Sequence, residues 1–522
     1  MRQFVIHEVL ADAAYQHGTA GVISGTSHFT YSEIYDRCLR LSHKLAALGV
    51  GPSTLVGVMD VNSHRYFELK YALSMTGAVL HTINFRLTPS DMAYTIHLAR
   101  DDWLFVWTGF GELAKSMAEL VPNVVWLGDS TGFSGRLYED MIAEGTPSLP
   151  DQAGRVKEDD IYSLFFTTGT TASPKGIQYS HRQMLTASLQ IAHDLGLHDT
   201  GATLRSDDVM MPLIPFFHIH GWGVPFIAPY LGAMIVLPEK SLVAEQWQLI
   251  RLHQVTWCNM VPTQLFMLLQ ERPDHIDSPR QLKVLTGGSA LSHGLAEEAV
   301  GAGISLSLIY GGSDQLGSAI SEASGLTGAE RLTRLSTRLT PFPMVRVEVR
   351  DEHAQLVASD GATIGEVWVQ SPWIPSEYLD EPEQSSIAFH NGWFRTGDLA
   401  VRYSDGSFYV MDRLKDAIKS GGEWITGSVI ESIVSEVPGV LAVAIIAQVD
   451  ARWGERPIVV VQAEKEVTAD AILAHLLGAV SEGRLAKFWM PEAVHFIDTM
   501  PLTSAGKINK AALRKGAASL NE

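Results

Sequence analysis

A run of hydroxyls and glycines ending on a lysine is the stretch of this 522-residue chain best suited to chemistry: Tyr162-Ser-Leu-Phe-Phe-Thr-Thr-Gly-Thr-Thr-Ala-Ser-Pro-Lys-Gly176. Thr167, Thr168, Thr170, Thr171 and Ser173 offer hydroxyl donors, Gly169 and Gly176 let the backbone approach closely, and Lys175 adds a mobile positive charge. Together they suit a polyphosphate. The spacing is not that of a Walker loop, which needs a glycine, four residues and then Gly-Lys-Ser/Thr, and no segment of the chain satisfies that pattern. Read alone, the stretch is also compatible with a Ser/Thr/Gly surface loop.

Further segments carry residues of the same chemical interest. Pro212-Leu-Ile-Pro-Phe-Phe-His218-Ile-His220-Gly-Trp222-Gly-Val-Pro sets two histidines among aromatics, compatible with carboxylate binding, with a core histidine pair or, lacking a third ligand nearby, only weakly with a metal. Gly287-Gly288-Ser289-Ala-Leu291 is by itself an ordinary turn, and a lone Thr-Gly-Asp such as Thr396-Gly-Asp398 is commonly a capped strand end. Ile309-Tyr310-Gly311-Gly312-Ser313-Asp314 adds an aromatic ring, a hydroxyl and a carboxylate in succession. Asp412-Arg413-Leu-Lys415-Asp-Ala-Ile-Lys-Ser-Gly421-Gly422-Glu423-Trp424 reads alone as a solvated charge run. Leu485-Ala-Lys-Phe-Trp-Met-Pro491 and Pro501-Leu-Thr-Ser-Ala-Gly506-Lys507 complete the set.

In their order and over nearly the whole chain, these segments resemble the acyl-adenylate-forming ligases, the superfamily of acyl-CoA synthetases and peptide-synthetase adenylation domains. The bacterial fatty-acyl and related acyl-CoA synthetases are the most similar. The resemblance implies an AMP-forming acid ligase that uses ATP, Mg2+ and coenzyme A, and it implies a role for each matching residue. The threonine loop with Lys175 grips the phosphates. His218, Trp222, Gly287 and Gly312 border the acid. Gly288 and Ser289 back the adenine, Tyr310 stacks on it, and Gly311, Gly312 and Ser313 follow it toward the phosphate.

Asp314, with Thr168, would hold magnesium. Aspartate stands there where the family usually has glutamate, so its carboxylate is one methylene shorter and would meet the ion either directly or through water. Asp398 would accept both ribose hydroxyls and Arg413 would contact the nucleotide. Lys415 would be the pivot, Gly421, Gly422, Glu423 and Trp424 would line the thiol path, and Lys507 would act in adenylation, with His218 and Thr168 as further catalytic groups. The second substrate is then a thiol, or an amine if the chain is an amide-forming ligase like the coronafacic acid ligases. A non-catalytic nucleotide- or acyl-binding homologue is the remaining alternative, against which Lys507, Lys175 and Asp398 all argue.

Composition narrows the class. Acidic residues outnumber basic ones 58 to 39, giving a formal charge of −19, so nucleic acid and anionic membrane surfaces are disfavoured as partners. An anionic substrate must then meet a local basic site. Cys38 and Cys258 stand far apart, without C-x-x-C, which argues against zinc and against a disulfide framework and fits a reducing cytoplasm. The amino terminus lacks the apolar core of a signal peptide. Gly221 to Pro238 is eighteen residues without a charge, but Pro225, Pro229 and Pro238 with its glycines predict buried core beside an apolar pocket rather than a membrane span. The resemblance leaves room for a homodimer.

The elements that must position these residues follow from periodicity. Helical spacing at Tyr31 to Leu48 and Phe67 to Gly77 alternates with strand-like runs at Leu55 to Met59 and Ala78 to Ile83. Strand patterns recur at Val209 to Ile214, Met234 to Leu237, Val284 to Thr286 and Leu306 to Tyr310. The succession predicts an α/β fold with mostly parallel strands, whose ligands collect beyond the strands' carboxyl ends. Alternating runs at Val345 to Arg350 and Gly365 to Gln370 predict a small β subdomain. The last hundred residues predict a separate mobile α+β unit, which divides the chain into a large domain over 1–412 and a small one over 413–522.

Overall fold

The computed structural model describes residues 2–167, 174–273, 280–421, 423–503 and 508–518, with backbone alone at 423, 517 and 518. Thr168 to Ser173, Gly422 and Lys507 lie outside the described residues. Among the described residues the strands form four sheets. In the first, Gly21–Ser24, Met234–Leu237, Val209–Pro212, Trp257–Met260, Lys283–Gly287 and Ser305–Gly312 run parallel in that spatial order. Its edges, Ser27–Thr30 on one side and Leu316–Ile320 with Thr340–Pro341 on the other, are antiparallel.

The second sheet sets Arg136–Leu137, Asn123–Leu127, Trp103–Trp107, Leu55–Met59, Val79–Thr82 and Ile161–Phe166 parallel, closed by antiparallel Gly176–Ser180. Each parallel sheet contains a switch point. Val209–Pro212 has Met234–Leu237 on one side and Trp257–Met260 on the other, and Leu55–Met59 lies between Val79–Thr82 and Trp103–Trp107. Chain leaving the carboxyl end of such a strand enters a crevice between diverging crossovers, the usual ligand position in open α/β sheets.

The helix His64–Thr76 is buried along its whole length. It starts three residues before the expected Phe67, because Ser63 caps it by accepting a hydrogen bond from the Tyr66 N–H at 3.2 Å. Complete burial puts its charged residues in need of partners. Glu68 accepts from Arg37 Nε at 2.6 Å and from the Tyr138 hydroxyl at 2.6 Å. Glu68→Ala removes both acceptors at once and is expected to lower stability by about 3 kcal/mol. Thermal unfolding of the variant against the parent measures that loss.

A third, antiparallel sheet of Arg346–Arg350, Ile364–Gln370, Phe389–His390, Trp393–Arg402 and Phe408–Arg413 is the β subdomain. Beyond it, the hairpin Val440–Asp450 and Gly454–Ala463, the short strands Ile418–Ser420, Glu423–Ile425 and Val494–Phe496, and the helices Gly427–Val434 and Ala469–Ser481 form the small carboxyl-terminal domain. Its apolar clusters draw on residues from Ile418 to Leu513, whereas those of the large domain end at Phe408. Separate cores are what allow two parts of one chain to move as units.

The uncharged stretch from Gly221 is divided between a tight turn, the eight-residue helix Val224–Leu231 with Pro229 inside it, and the strand Met234–Leu237. Eight helical residues extend about 12 Å, far short of a bilayer. Among the described residues no helix is long and apolar enough to cross a membrane.

Candidate active site

One cavity of about 1520 Å³ opens beyond the strand ends, between the large domain and the face of the small one. At one end Asp398, on the strand Trp393–Arg402, is buried at 6% exposure. Its Oδ2 accepts the Tyr310 hydroxyl at 2.7 Å, and its Oδ1 lies 3.0 Å from Arg413 Nε. Antiparallel register makes this meeting inevitable, since Asp398 stands opposite Arg413 on Phe408–Arg413. Burial and the adjacent carboxylate push the Tyr310 phenol well up, so it remains a donor. A carboxylate has about four lone-pair positions, and two remain for a diol.

At the other end, Ile161–Phe166 and Gly176–Ser180 form a hairpin whose turn carries the threonine loop. Thr167 N–H donates to the Lys175 carbonyl at 2.9 Å, and Lys175 N–H donates to Thr167 Oγ1 at 3.1 Å, which closes the base of that loop. The Lys175 ammonium lies 4.7 Å from the centre of the Tyr378 ring and 3.1 Å from Gln384 Oε1. Tyr378 in turn donates its hydroxyl to Asp314 Oδ1 at 2.7 Å. Burial raises the Asp314 carboxyl, while the Tyr378 hydrogen bond, Arg413 and Lys175 oppose that rise. A carboxylate facing the cavity beside a lysine and Thr167 suits a hard cation carrying phosphate oxygens.

The loop between these ends is tight. A Cβ on Gly311 would stand 1.8 Å from the Leu316 carbonyl, so the return from Ser305–Gly312 into Leu316–Ile320 needs glycine there. Tyr179 donates to the Ser313 carbonyl at 2.6 Å and ties this loop to the phosphate-side hairpin. Gly288, Ser289, Gly312 and Ser313 line the cavity, whereas Gly287 ends its strand packed against Ile309 and lies off the wall.

The two histidines of this segment have different surroundings. His218 lines the cavity. His220 is fully buried, its Nδ1 2.7 Å from Lys70 Nζ and its Nε2 2.8 Å from Ser163 Oγ. Burial drives the Lys70 amine and the His220 imidazole well down. An uncharged lysine donating to Nδ1, with Nε2–H donating to Ser163, satisfies all three groups. Among the described residues His220 has no carboxylate or thiol partner, so this pair is core rather than a metal centre.

From Ile219 to Gly223 the chain runs through five consecutive positive φ angles, with Trp222 packed at the pocket wall. Left-handed backbone costs roughly 1–2 kcal/mol per non-glycine residue, so it persists only where its surroundings hold it. Asn259 holds it at Gly221, and Asn62 holds the segment leading into it. Asn62, just past the strand Leu55–Met59, donates to the Pro212 and Ile214 carbonyls and accepts from the Phe216 N–H. Asn259 accepts from the Leu213 and Ile214 N–H groups and donates to the Gly221 carbonyl. Their amides replace the ladder partners that an irregular buried loop lacks.

Residues 10–379 match the model of the AMP-binding enzyme family, and residues 429–507 match that of the AMP-binding enzyme C-terminal domain. The chain belongs to this family. It is an AMP-forming acid ligase of the acyl-adenylate-forming superfamily, with the adenylate-forming α/β fold. A long-chain-fatty-acid–CoA ligase of Thermus thermophilus is 35% identical over 93% of this chain and 90% of its own length. The crystal structure of an anthranilate CoA ligase in complex with anthranoyl-AMP matches 99% of this chain and 98% of its own, with a TM-score of 0.88 at 21% identity. An amide bond synthetase from Marinactinospora thermotolerans matches 98% and 99%, with a TM-score of 0.83 at 23% identity. Both structural likenesses concern fold alone.

The small domain of the ligase presents Thr499, Met500, Leu502, Thr503 and Lys510 to the cavity, and Lys507 lies outside the described residues. Arg413 and Lys415 line it too. The hairpin Ile418–Ser420 and Glu423–Ile425 lies away from it. There Gly421, at φ 58°, donates to the Trp453 carbonyl, and Lys419 sits over the Trp424 ring. Sequence reading passed over three site groups: Tyr378, the asparagine pair and Lys510. The Lys510 ammonium lies 2.9 Å from Glu431 and 3.8 Å from Asp412 and joins the small domain to the hinge. No local motif marks any of them. The Asn62 position beyond a switch-point strand was the one signal available.

Proposed function

We propose that this ligase condenses an apolar carboxylic acid of medium or long chain with ATP, releasing pyrophosphate, and passes the acyl group from the resulting adenylate to coenzyme A. The supporting observation is the continuity of one cavity. Asp398, Arg413, Tyr310, Lys175 and Asp314 line it together with an apolar stretch that includes Trp222, Ile191 and Met184. The similarity to fatty-acid–CoA ligases accords with an apolar acid.

In the first step a carboxylate oxygen attacks the α-phosphorus, the bond to the bridging oxygen breaks, and pyrophosphate leaves with its electron pair. No enzyme nucleophile is required. The protein aligns two anions and offsets their charge. Lys175 and the threonine loop take the outer phosphates, His218 borders the carboxylate, and Lys507 approaches the reacting oxygens. Magnesium held through Asp314 would neutralise charge on the phosphates. In the second step the small domain, divided from the large one at 412/413, turns about Lys415, withdraws Lys507 and brings the Gly421 to Trp424 hairpin to the cleft. The thiol sulfur then attacks the acyl carbonyl carbon, the bond from that carbon to the phosphate oxygen breaks, AMP departs with the electron pair, and the thiol proton passes to water. The position of that hairpin away from the cavity accords with an arrangement suited to the first step.

Tyr378 holds Asp314 and lies under Lys175. Tyr378→Phe should raise the KM for magnesium-ATP about 5-fold, the equivalent of one lost hydrogen bond, and leave the KM for the acid unchanged. Pyrophosphate release with each substrate varied in turn checks this.

Incubating the ligase with ATP, magnesium and a panel of acids, with either coenzyme A or a mixture of amines, and identifying products by mass spectrometry tests the whole reading. Acyl-CoA from apolar acids is expected. Amides formed in preference to thioesters would replace the acceptor, and no pyrophosphate release with any acid would sink the proposal.

A further inference from the structure

At the far end of the helix His181–Leu197, whose Met184, Ala187 and Ile191 wall the cavity, three side chains converge outside the nucleotide site. His193, Asp194 and His198 offer ligand atoms that all lie within 4.8 Å of one another. Asp194 Oδ1 lies 3.9 Å from His193 Nδ1 and 3.5 Å from His198 Nε2. We propose that this group is a binding site for a divalent transition-metal ion, zinc by its chemistry, with two imidazole nitrogens, one carboxylate oxygen and water as ligands.

Three features carry the assignment. The first is ligand type: two nitrogens and an oxygen suit zinc better than calcium or magnesium, which take oxygen donors. The second is orientation. His198 Nδ1 lies 2.9 Å from Glu322 Oε1, so in the neutral imidazole Nδ1–H donates to Glu322 and the lone pair sits on Nε2, toward Asp194. Asp194, 5% exposed, has its Oδ2 anchored by Gln190 Nε2 at 2.8 Å, which aims Oδ1 at both rings. Outer partners of this kind are what set ligand geometry in metal sites. The third is room to close. A tetrahedral zinc with bonds of about 2.05 Å needs ligand atoms about 3.3 Å apart; His198 Nε2 and Asp194 Oδ1 stand 3.5 Å apart, and the His193 side chain, 45% exposed, has room to swing toward them.

Metal here would clasp the end of the helix to Glu322, just beyond the strand Leu316–Ile320. The same helix and strand meet at the pocket, where a Cβ on Gly317 would stand 3.1 Å from Ile191 Cδ1. The site is independent of the proposed reaction and needs neither ATP nor acid.

The test uses the full chain, stripped with a chelator and titrated with zinc chloride against a chromophoric chelator in the absence of nucleotide. One equivalent bound at micromolar or tighter affinity is expected, with a tetrahedral visible spectrum when cobalt replaces zinc. Glu322→Gln should weaken binding roughly 10–100-fold, the loss typical of an outer partner. His193→Ala and His198→Ala, checked for native circular dichroism, should weaken it more. Absence of stoichiometric binding, or binding that survives both alanine variants, overturns the site.

Discussion

Lys507→Ala will abolish pyrophosphate release, a fall of roughly 10²–10³-fold or more in the rate of adenylation, while leaving transfer from a chemically supplied acyl-adenylate near the parent rate. The asymmetry follows from the proposed mechanism. Negative charge gathers between carboxylate and α-phosphate only while the anhydride forms, and in the second step that bond already exists. Lys507 follows Thr503, which lines the cavity, in the family's Thr-Ser-x-Gly-Lys context. The measurement is pyrophosphate release set against thioester formation from the supplied adenylate. Equal loss in both would remove Lys507 from the first step.

Asp398→Ala should raise the KM for ATP roughly 10–100-fold, the range expected when hydrogen bonds to a charged group are lost, with the KM for the acid at saturating ATP little changed. Asp398 is buried and joins Tyr310 to Arg413, so the variant loses the diol acceptor and also leaves a phenol and a guanidinium without their common partner. Asp398→Asn keeps the shape and one acceptor and should recover part of the affinity. Initial rates with ATP and acid varied separately distinguish these outcomes. An unchanged KM for ATP would place the ribose elsewhere.

Much of the scaffold was legible because its signals are local. The strands Leu55–Met59 and Met234–Leu237 coincide with their apolar runs, and the helix Tyr31–Ala47 with its periodicity, fixed at its start by the Thr30–Glu33 capping box. Strand ends running into glycine, proline, serine and histidine mark the cavity in the sequence, because a parallel sheet leaves its ligand crevice at those ends. The helix His64–Thr76 was harder, for buried arginine, glutamate and lysine read as exposed charges until their partners are known.

What the amino-acid order determined was therefore the set of elements, their α/β alternation and the succession of phosphate-binding, aromatic and carboxylate segments, since each depends on neighbours within a few residues. The pairing of Asp398 with Tyr310 and Arg413, the hold of Tyr378 on Asp314, and the burial of His220 between Lys70 and Ser163 were decided by tertiary structure alone. These contacts join residues up to 150 positions apart, as Lys70 and His220 are. Local periodicity carries no information about which distant strand or loop will meet which, and only the packing of the layers supplies it.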